Sequence, residues 1–391
     1  MNMKTLSIRF FQVAWLILFL FGLSSVAIRL FTGKEIANYG GYIPWGLWVA
    51  VYLFFVGMAA GSFFLASAAI VFRIRVIQPL VPPALVASFV SLLGGLTAIF
   101  LDLGRPFRAW KVLLQPNFTS MMAWMIWMYT AFAVLLVLML RLVFRREQFQ
   151  AETETWLRRL AVVGLPLAIA FSGGVGALFG VIGARPYWNT STFPLMFLSG
   201  ALLTGTALVT LLSTALYPDR ESPTFRHLVP FLGGLLLACL ALQALVEWAE
   251  FSIAYYASIP SHVGPWNAIL FGPYWWVFWI VHFGLGMVLP AALLLSRGGR
   301  TSPARVFTAA LLVVITFLSV RLNVVIPGLV HAELKGLENA YQDLRLHFDY
   351  FPSLLEFGVA AFSYALVAGL LALAHKRLPL WQTPSPKEVS S

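Results

Sequence analysis

Cysteine and histidine are scarce in this chain, and their scarcity excludes several kinds of redox centre. The single cysteine, Cys239, cannot form an internal disulfide, and one thiolate cannot hold an iron–sulfur cluster. Of the six histidines, only His282 lies well inside an apolar segment, whereas a membrane haem typically needs two axial histidines. Cys, His and carboxylate residues nowhere have the spacing of a metal site. The sequence therefore predicts no haem, no metal site and no iron–sulfur cluster of its own.

Charged residues are also few, which excludes a water-soluble globule with a mostly polar surface. Only 10% of the 391 residues are charged, 60% are hydrophobic, and the mean hydropathy is +0.85. Ten apolar segments are each about 20 residues or longer, enough to cross a bilayer core. We predict one all-α integral membrane domain over residues 1–391, with transmembrane spans at 10–31, 43–72, 80–103, 119–144, 160–182, 193–217, 228–256, 274–295, 306–327 and 351–373.

The distribution of positive charge predicts the orientation of the chain. The net charge is +11, and most of the 26 Lys and Arg residues lie in segments on the same side of the membrane as the amino terminus. By the positive-inside rule, both termini are expected to be cytoplasmic. The excess of positive charge therefore reflects the orientation of the chain in the membrane and does not indicate nucleic-acid binding. The polar tail 383–391 is expected to be disordered.

Small residues predict how the spans pack. Gly57 and Gly61 in the second span form a GxxxG step, which lets another helix backbone approach closely. We expect two four-helix bundles, formed by spans two to five and six to nine, with the first and last spans at the periphery.

The outer end of the third span carries a dense set of ionisable and aromatic residues. Asp102 ends the span, Arg105 follows in a short hinge, and Trp124 lies near the start of the next span. Charges at the end of a spanning helix often mark a pathway or a site. Two interpretations stay open, namely a functional site and an interfacial Asp102–Arg105 pair that only anchors the turn. For Trp124, an interfacial aromatic belt explains the residue at least as well as a ring-stacking pocket.

Further ionisable residues lie in the outer halves of later spans. Glu247 and Glu250 are three residues apart and therefore share one face of the seventh span. His282 lies about two turns into the eighth span, and Arg321 lies in the outer half of the ninth, where Glu247 or Glu250 is its natural partner. Intramembrane carboxylates are costly unless they are paired, protonated or hydrated. We therefore expect a proton route through Glu247, Glu250, His282 and Arg321.

These outer-half groups match the needs of a quinone headgroup. Such a headgroup requires two hydrogen-bonding partners, a nearby proton donor or acceptor, and apolar walls. The same inventory suits a proton- or cation-coupled secondary transporter. A purely structural anchor for a peripheral complex is a third alternative.

Two segments carry a family resemblance. Residues 43–69 (IPWGLWVAVYLFFVGMAAGSFFLASAA) and 101–127 (LDLGRPFRAWKVLLQPNFTSMMAWMIW) resemble the NrfD/PsrC family of membrane quinol-interacting subunits. The ten-span length, with residues 321–329 and 348–357, is similar to its longer HybB/DsrP branch, which includes a sulfite-reduction-associated subunit. The resemblance implies a subunit without a cofactor of its own, in a bacterial or archaeal cytoplasmic membrane. Its exchangeable substrate would be menaquinone or ubiquinone, bound near the outer face.

The resemblance also implies partners and contact residues. Electrons would pass between the quinone and a ferredoxin-like iron–sulfur subunit at the outer face, with a cytochrome c or further membrane or catalytic subunits as additional partners. In the family, the Asp and Arg of the LDLGRP element lie by the quinone pocket, which here means Asp102 and Arg105. The protein is expected to be inert without these partners.

Overall fold

Ten long apolar helices dominate the described part of the chain. The computed structural model describes residues 3–145, 150–332, 334, 336–337 and 346–381, and within them it contains ten helices long and apolar enough to cross a membrane and no strand. They are α1 (Met3–Thr32), α2 (Leu47–Val71), α3 (Val81–Asp102), α4 (Met121–Phe144), α5 (Gln150–Gly180), α6 (Thr192–Leu216), α7 (Pro223–Ala257), α8 (Val277–Leu295), α9 (Pro303–Val330) and α10 (Leu354–Arg377). The prediction of an all-α, multi-pass integral membrane protein is confirmed.

The helices alternate in direction, so each face of the molecule is defined by particular helix ends. We call the face where α3 ends at Asp102 the outer face, and the face where α3 begins the inner face. At the inner face, helices extend beyond the predicted spans because polar residues continue them outside the apolar core. For example, α5 begins at Gln150, before the predicted span at 160. The tail 383–391, predicted to be disordered, lies outside the described residues.

The eight middle helices form two four-helix bundles. Helices α2 to α5 close one ring of contacts, α6 to α9 close a second, and the bundles meet through α2 and α6. Gly61 of α2 lies so close to Ala201 of α6 that an added Cβ would overlap the Ala201 backbone. The predicted bundles and the close approach at the GxxxG step are therefore both present.

The first and last helices lie together at the edge of the first bundle. Helix α1 packs along α10, and α10 packs on α3 and α2. The Trp15 indole donates a hydrogen bond to the Ala365 carbonyl oxygen at 2.8 Å, which fixes the α1–α10 pair. Most other apolar side chains of α1 are exposed, as expected for a helix that faces lipid. The peripheral placement of both helices confirms the prediction.

Two helices of the second bundle are irregular, α8 in its outer half and α9 near its middle. Residues Val277–Val288 of α8 adopt π-helical turns, which are rare and occur often at functional sites. Helix α9 is interrupted at Phe317, between Pro303–Thr316 and Leu318–Val325. The imidazole of His282, inside the π-helical turns, packs against the Phe317 ring at 5.5 Å. The π-helical turns of α8 and the interruption of α9 are therefore in contact through His282 and Phe317.

Candidate functional site

An apolar cavity of about 250 Å³ lies toward the outer face of the second bundle. It is lined by residues of α6, α7, α8 and α9, by the loop before α6 and by the short helix Pro260–Leu270. Most of its wall is aromatic or aliphatic, and its ionisable lining consists of Glu247, Glu250, His282 and Tyr187. The larger apolar lining side chains include Phe193, Met196, Phe251, Trp266, Phe278, Trp279, Phe283 and Met287. A flat aromatic ligand with polar edges would find both kinds of contact here.

A hydrogen-bonded pair lies in the wall of this cavity. The Nε2 atom of His282 is 2.8 Å from Oε2 of Glu247. The other carboxylate oxygen, Oε1, accepts a hydrogen bond from the Gln243 side-chain amide at 2.6 Å. Ser199 of α6 in turn donates to the Gln243 side-chain oxygen at 2.6 Å. The carboxylate of Glu247 is thus held by one residue of its own helix and one of α8.

The second ring nitrogen of His282, Nδ1, is buried and has no hydrogen-bond partner in the described part of the chain. A buried polar atom without a partner is costly, and it often indicates a water or ligand that completes the site. One ring nitrogen of His282 therefore contacts Glu247, and the other is buried without a partner among the described residues.

Glu250 reaches the same cavity from the next turn of α7. Its Oε2 atom accepts a hydrogen bond from the Thr190 hydroxyl at 3.2 Å, and the residue is buried. Glu247 and Glu250 both line the cavity, so the shared face predicted from their spacing is confirmed. Tyr187, in the loop before α6, closes the cavity nearby, and burial raises the pKa of its hydroxyl, which therefore stays protonated.

Arg321 is placed differently from the ion pair predicted for it. Within the described residues, it forms no salt bridge with Glu247 or Glu250. Its guanidinium stacks 4.2 Å from the centre of the Phe197 ring, and its Nη1 atom is buried without a partner. Gly200 makes room for it, since an added Cβ would lie 2.9 Å from Nη2. The Glu247 carboxylate instead accepts a hydrogen bond from Gln243 and contacts His282.

Asp102 lies in a separate ionisable cluster at the outer end of the first bundle. Lys34, in the loop after α1, donates from Nζ to Oδ1 of Asp102 at 3.1 Å. Arg29 of α1 binds the Leu101 and Leu103 carbonyl oxygens at 2.8 and 2.6 Å, which ties α1 to the end of α3. Asp102 therefore has a cationic partner, but that partner is Lys34 and not Arg105.

The other two predicted quinone contacts lie apart from Asp102. Arg105 is exposed, and no hydrogen bond or salt bridge of its side chain is found in the described part of the chain. Trp124 is 49% exposed and donates its indole N–H to the Phe118 carbonyl oxygen at 2.8 Å. Asp102, Arg105 and Trp124 do not line the cavity of the second bundle, and the structure does not gather them into one polar site.

Glu356 secures the start of α10 to the loop before α2. It forms a capping box with Ser353 and also accepts hydrogen bonds from the Asn38 backbone N–H at 2.9 Å and from the Tyr350 hydroxyl. The Tyr350 hydroxyl oxygen accepts from the Leu47 backbone N–H at 2.8 Å. Burial, followed by the charge of Glu356, raises the pKa of Tyr350, so this hydroxyl remains a donor. Both oxygens of Glu356 are occupied, which indicates a structural role.

Sequence reasoning missed Lys34, Arg29 and Gln243. An arginine near the end of an apolar helix is a signal in itself, because such a charge must find polar partners. Lys34 follows two residues after α1 ends, and nothing local indicates that it meets Asp102. Gln243 lies one turn before Glu247, so the (i, i+4) spacing on a helix could have identified it.

Metal and thiol chemistry find no support in the described residues. No group of three or more His, Cys, Asp or Glu residues there could hold a metal ion. Cys239 is a buried free thiol in α7, 4.0 Å from the Thr206 hydroxyl.

The sequence is similar to known proteins over most of its length. A sequence model of the family described as "Polysulphide reductase, NrfD" matches residues 35–333. A selenate reductase subunit from Mesobacillus selenatarsenatis is 31% identical, over 94% of this chain and 95% of its own. The integral membrane subunit of menaquinone reductase from Nitratidesulfovibrio vulgaris is 22% identical, over 93% and 90% of the two chains. One chain of polysulfide reductase from Wolinella succinogenes is 26% identical, over 73% and 94%. The family match covers both four-helix bundles.

Proposed function

Because the chain belongs to the polysulphide reductase NrfD family, as its sequence predicted, we propose that it is the quinone-binding membrane subunit of a respiratory redox complex. It would bind menaquinone or ubiquinone near the outer face and exchange electrons with a partner iron–sulfur subunit docked there. The names of similar proteins, a menaquinone reductase and a polysulfide reductase among them, support this proposal. Membership of the longer HybB/DsrP-like branch stays a prediction.

The cavity of the second bundle is the observation that carries the proposal. Its aromatic and aliphatic walls suit a quinone ring, and its polar groups lie at the edges. Ligand sites in proteins have this composition, with mostly apolar walls and a few polar groups that fix orientation. His282 and Glu250 both line the cavity, and in this proposal their side chains contact the quinone oxygens.

The Glu247–His282 pair gives the site a means to move protons. A bound quinol releases two electrons and two protons when it is oxidised. His282 can receive a proton at Nδ1, and Glu247 stabilises the resulting positive charge on the imidazole from 2.8 Å away. Glu250 offers a second proton acceptor, and Arg321 contributes positive charge in the same outer region. In this proposal, the predicted proton route begins at the quinone cavity itself.

The predicted contacts Asp102, Arg105 and Trp124 define a second location for the headgroup. We place the headgroup in the second-bundle cavity because that site combines space with an unpartnered ring nitrogen, whereas Asp102 is already paired with Lys34. The two locations are distinguishable by mutation, since they belong to different bundles.

Binding of a fluorescent quinol analogue to the purified protein tests the proposal. Glu247→Gln is expected to weaken binding by about tenfold, because a charged hydrogen-bonding group is lost from the His282 side of the site. Glu221→Gln, an exposed carboxylate of the inner loop, is the matched control and should bind like the wild type. Asp102→Asn should also bind normally.

Each other outcome has a defined meaning. Binding lost in Asp102→Asn and retained in Glu247→Gln would move the headgroup to the outer end of the first bundle. No binding in any variant, combined with solute-driven proton uptake by the protein alone in liposomes, would replace the quinone proposal with the transporter alternative.

A further inference from the structure

A second groove lies at the opposite, inner face, between α3, α4 and α10. It has a volume of about 570 Å³ and lies at the first bundle. None of its lining residues also lines the second-bundle cavity. Its walls are apolar side chains from all three helices, among them Phe89, Leu93, Val137, Leu140, Leu370 and Leu373. Helix α3 contributes lining residues from Val86 to Leu93, which run along the groove from the inner face. At about 1.5 Å per residue, this stretch of helix is about 10 Å long. The groove is therefore long enough to hold a stretch of an acyl chain.

Three arginines stand at the inner mouth of this groove. Arg141 and Arg145 come from the last turn and end of α4, and Arg377 is the last residue of α10. All three are exposed, and none of their side chains makes a hydrogen bond or salt bridge within the described residues. None of the described residues that line the groove is acidic. Three positive charges without a partner among the described residues thus lie at one end of an apolar groove.

We propose that this groove binds a phospholipid with an anionic headgroup from the inner leaflet. The arginines would hold the phosphate and any further negative group, and the apolar walls would hold the acyl chains. Guanidinium groups bind phosphate oxygens through paired hydrogen bonds, and basic pockets between transmembrane helices commonly accept anionic headgroups. The apolar groove and the three arginines, which have no acidic partner among the described residues, favour an anionic lipid over a zwitterionic one.

The proposed lipid would connect the peripheral helix α10 to α4 of the first bundle. Helix α10 is a peripheral helix that packs on α3 and α2, whereas α4 reaches the bundle through α3 and α5. A lipid seated in the groove would contact α3, α4 and α10 at once. It is expected to stabilise the peripheral helix pair without touching the outer-face cavity.

Native mass spectrometry of the full-length protein, extracted in mild detergent and supplied with phosphatidylglycerol, tests this proposal. The wild type should retain the lipid, and the triple variant Arg141→Gln, Arg145→Gln, Arg377→Gln should retain about tenfold less. The matched control replaces Arg226, Arg297 and Arg300, which are exposed at the same face outside the groove. That control should retain lipid like the wild type.

A second variant keeps the test independent of the charges. Leu140→Trp narrows the apolar part of the groove and should lower lipid retention while all arginines remain. Equal retention of phosphatidylcholine, equal loss in the two triple variants, or full retention by Leu140→Trp would overturn the proposal. Displacement of the lipid by millimolar inorganic phosphate alone would show that the site is an anion site, and a co-purifying protein helix in its place would show a partner groove.

Discussion

His282 and Glu247 approach within 2.8 Å across the interface of α7 and α8, although 35 residues separate them in the chain. The pair lies beside an aromatic cavity, and the second ring nitrogen of His282 has no partner in the described residues. A carboxylate that contacts one nitrogen of an imidazole stabilises the protonated form of the ring. This arrangement gives the proposed quinone site its proton acceptor.

Replacing His282 tests the proton acceptor directly. His282→Gln is expected to lower quinol-dependent electron transfer in the assembled complex by about 100-fold, because general acid–base groups typically contribute that much or more. The measurement is the rate of acceptor reduction in membranes supplied with quinol. His227→Gln, at an exposed position near the start of α7, is the matched control and should keep the wild-type rate. Equal rates in both variants would remove His282 from the mechanism.

Because the two bundles are in close contact at Gly61, we expect a substitution there to lower the stability of the protein much more than one at Gly234. Gly61→Ala introduces a Cβ that would overlap the backbone of Ala201, so α2 and α6 must separate. We expect a loss of about 2 kcal/mol or more in stability, within the range of overpacked interiors. Gly234→Ala, where no atom lies within 4 Å of the added Cβ, should be neutral or slightly stabilising. Thermal unfolding in detergent compares them, and similar melting temperatures would contradict the close contact.

Much of this architecture could be predicted from the sequence, because it depends on residues that are close together in the chain. Ten apolar runs are long enough to span a bilayer, and Gly57 and Gly61 predict a close helix contact at their own positions. Glu247 and Glu250 share a face because helical periodicity fixes it. These features depend on residues within a few turns of one another.

The pairing of the buried charges could not be predicted in the same way. Asp102 is paired with Lys34, which lies 68 positions earlier, because α1 packs beside the end of α3. Arg105 is only three residues from Asp102 but is exposed in the hinge. Likewise, the position of Arg321 depends on the space left by Gly200 on another helix. Such contacts follow from helix packing, for which one sequence carries no local signal.

The Lys34–Asp102 pair predicts a rescue by double mutation. Lys34→Met leaves the Asp102 carboxylate, which is only 6% exposed, without its hydrogen-bonded cation. The expected cost is about 1–3 kcal/mol of unfolding free energy. Adding Asp102→Asn removes the charge and should restore most of that loss, a coupling that a double-mutant cycle of thermal unfolding measures. Additive losses would show that the pair does not contribute to stability. Lys111→Met, an exposed lysine near the same face, is the control.

Removing the hydroxyl oxygen of Tyr350 is expected to lower the stability of the protein. Tyr350→Phe deletes the donor to Glu356 and the acceptor of the Leu47 backbone N–H. Two buried polar groups then lose a partner, at an expected cost of about 1–3 kcal/mol in unfolding free energy. Tyr42→Phe removes a hydroxyl from a tyrosine that stacks on Phe348 and should change the melting temperature little. Equal melting temperatures for both variants would rule out the anchoring role of Tyr350.

Photoaffinity labelling with an azidoquinone tests the central claim most directly, because it reports where the headgroup lies. The purified complex is illuminated with the probe, digested, and its labelled peptides are identified by mass spectrometry, with excess unlabelled quinone as the competitor. We predict competed labels on the cavity segments 244–251 and 278–287, which line the second-bundle site. Competed labels confined to the segment from Asp102 to Trp124 would contradict this placement of the headgroup.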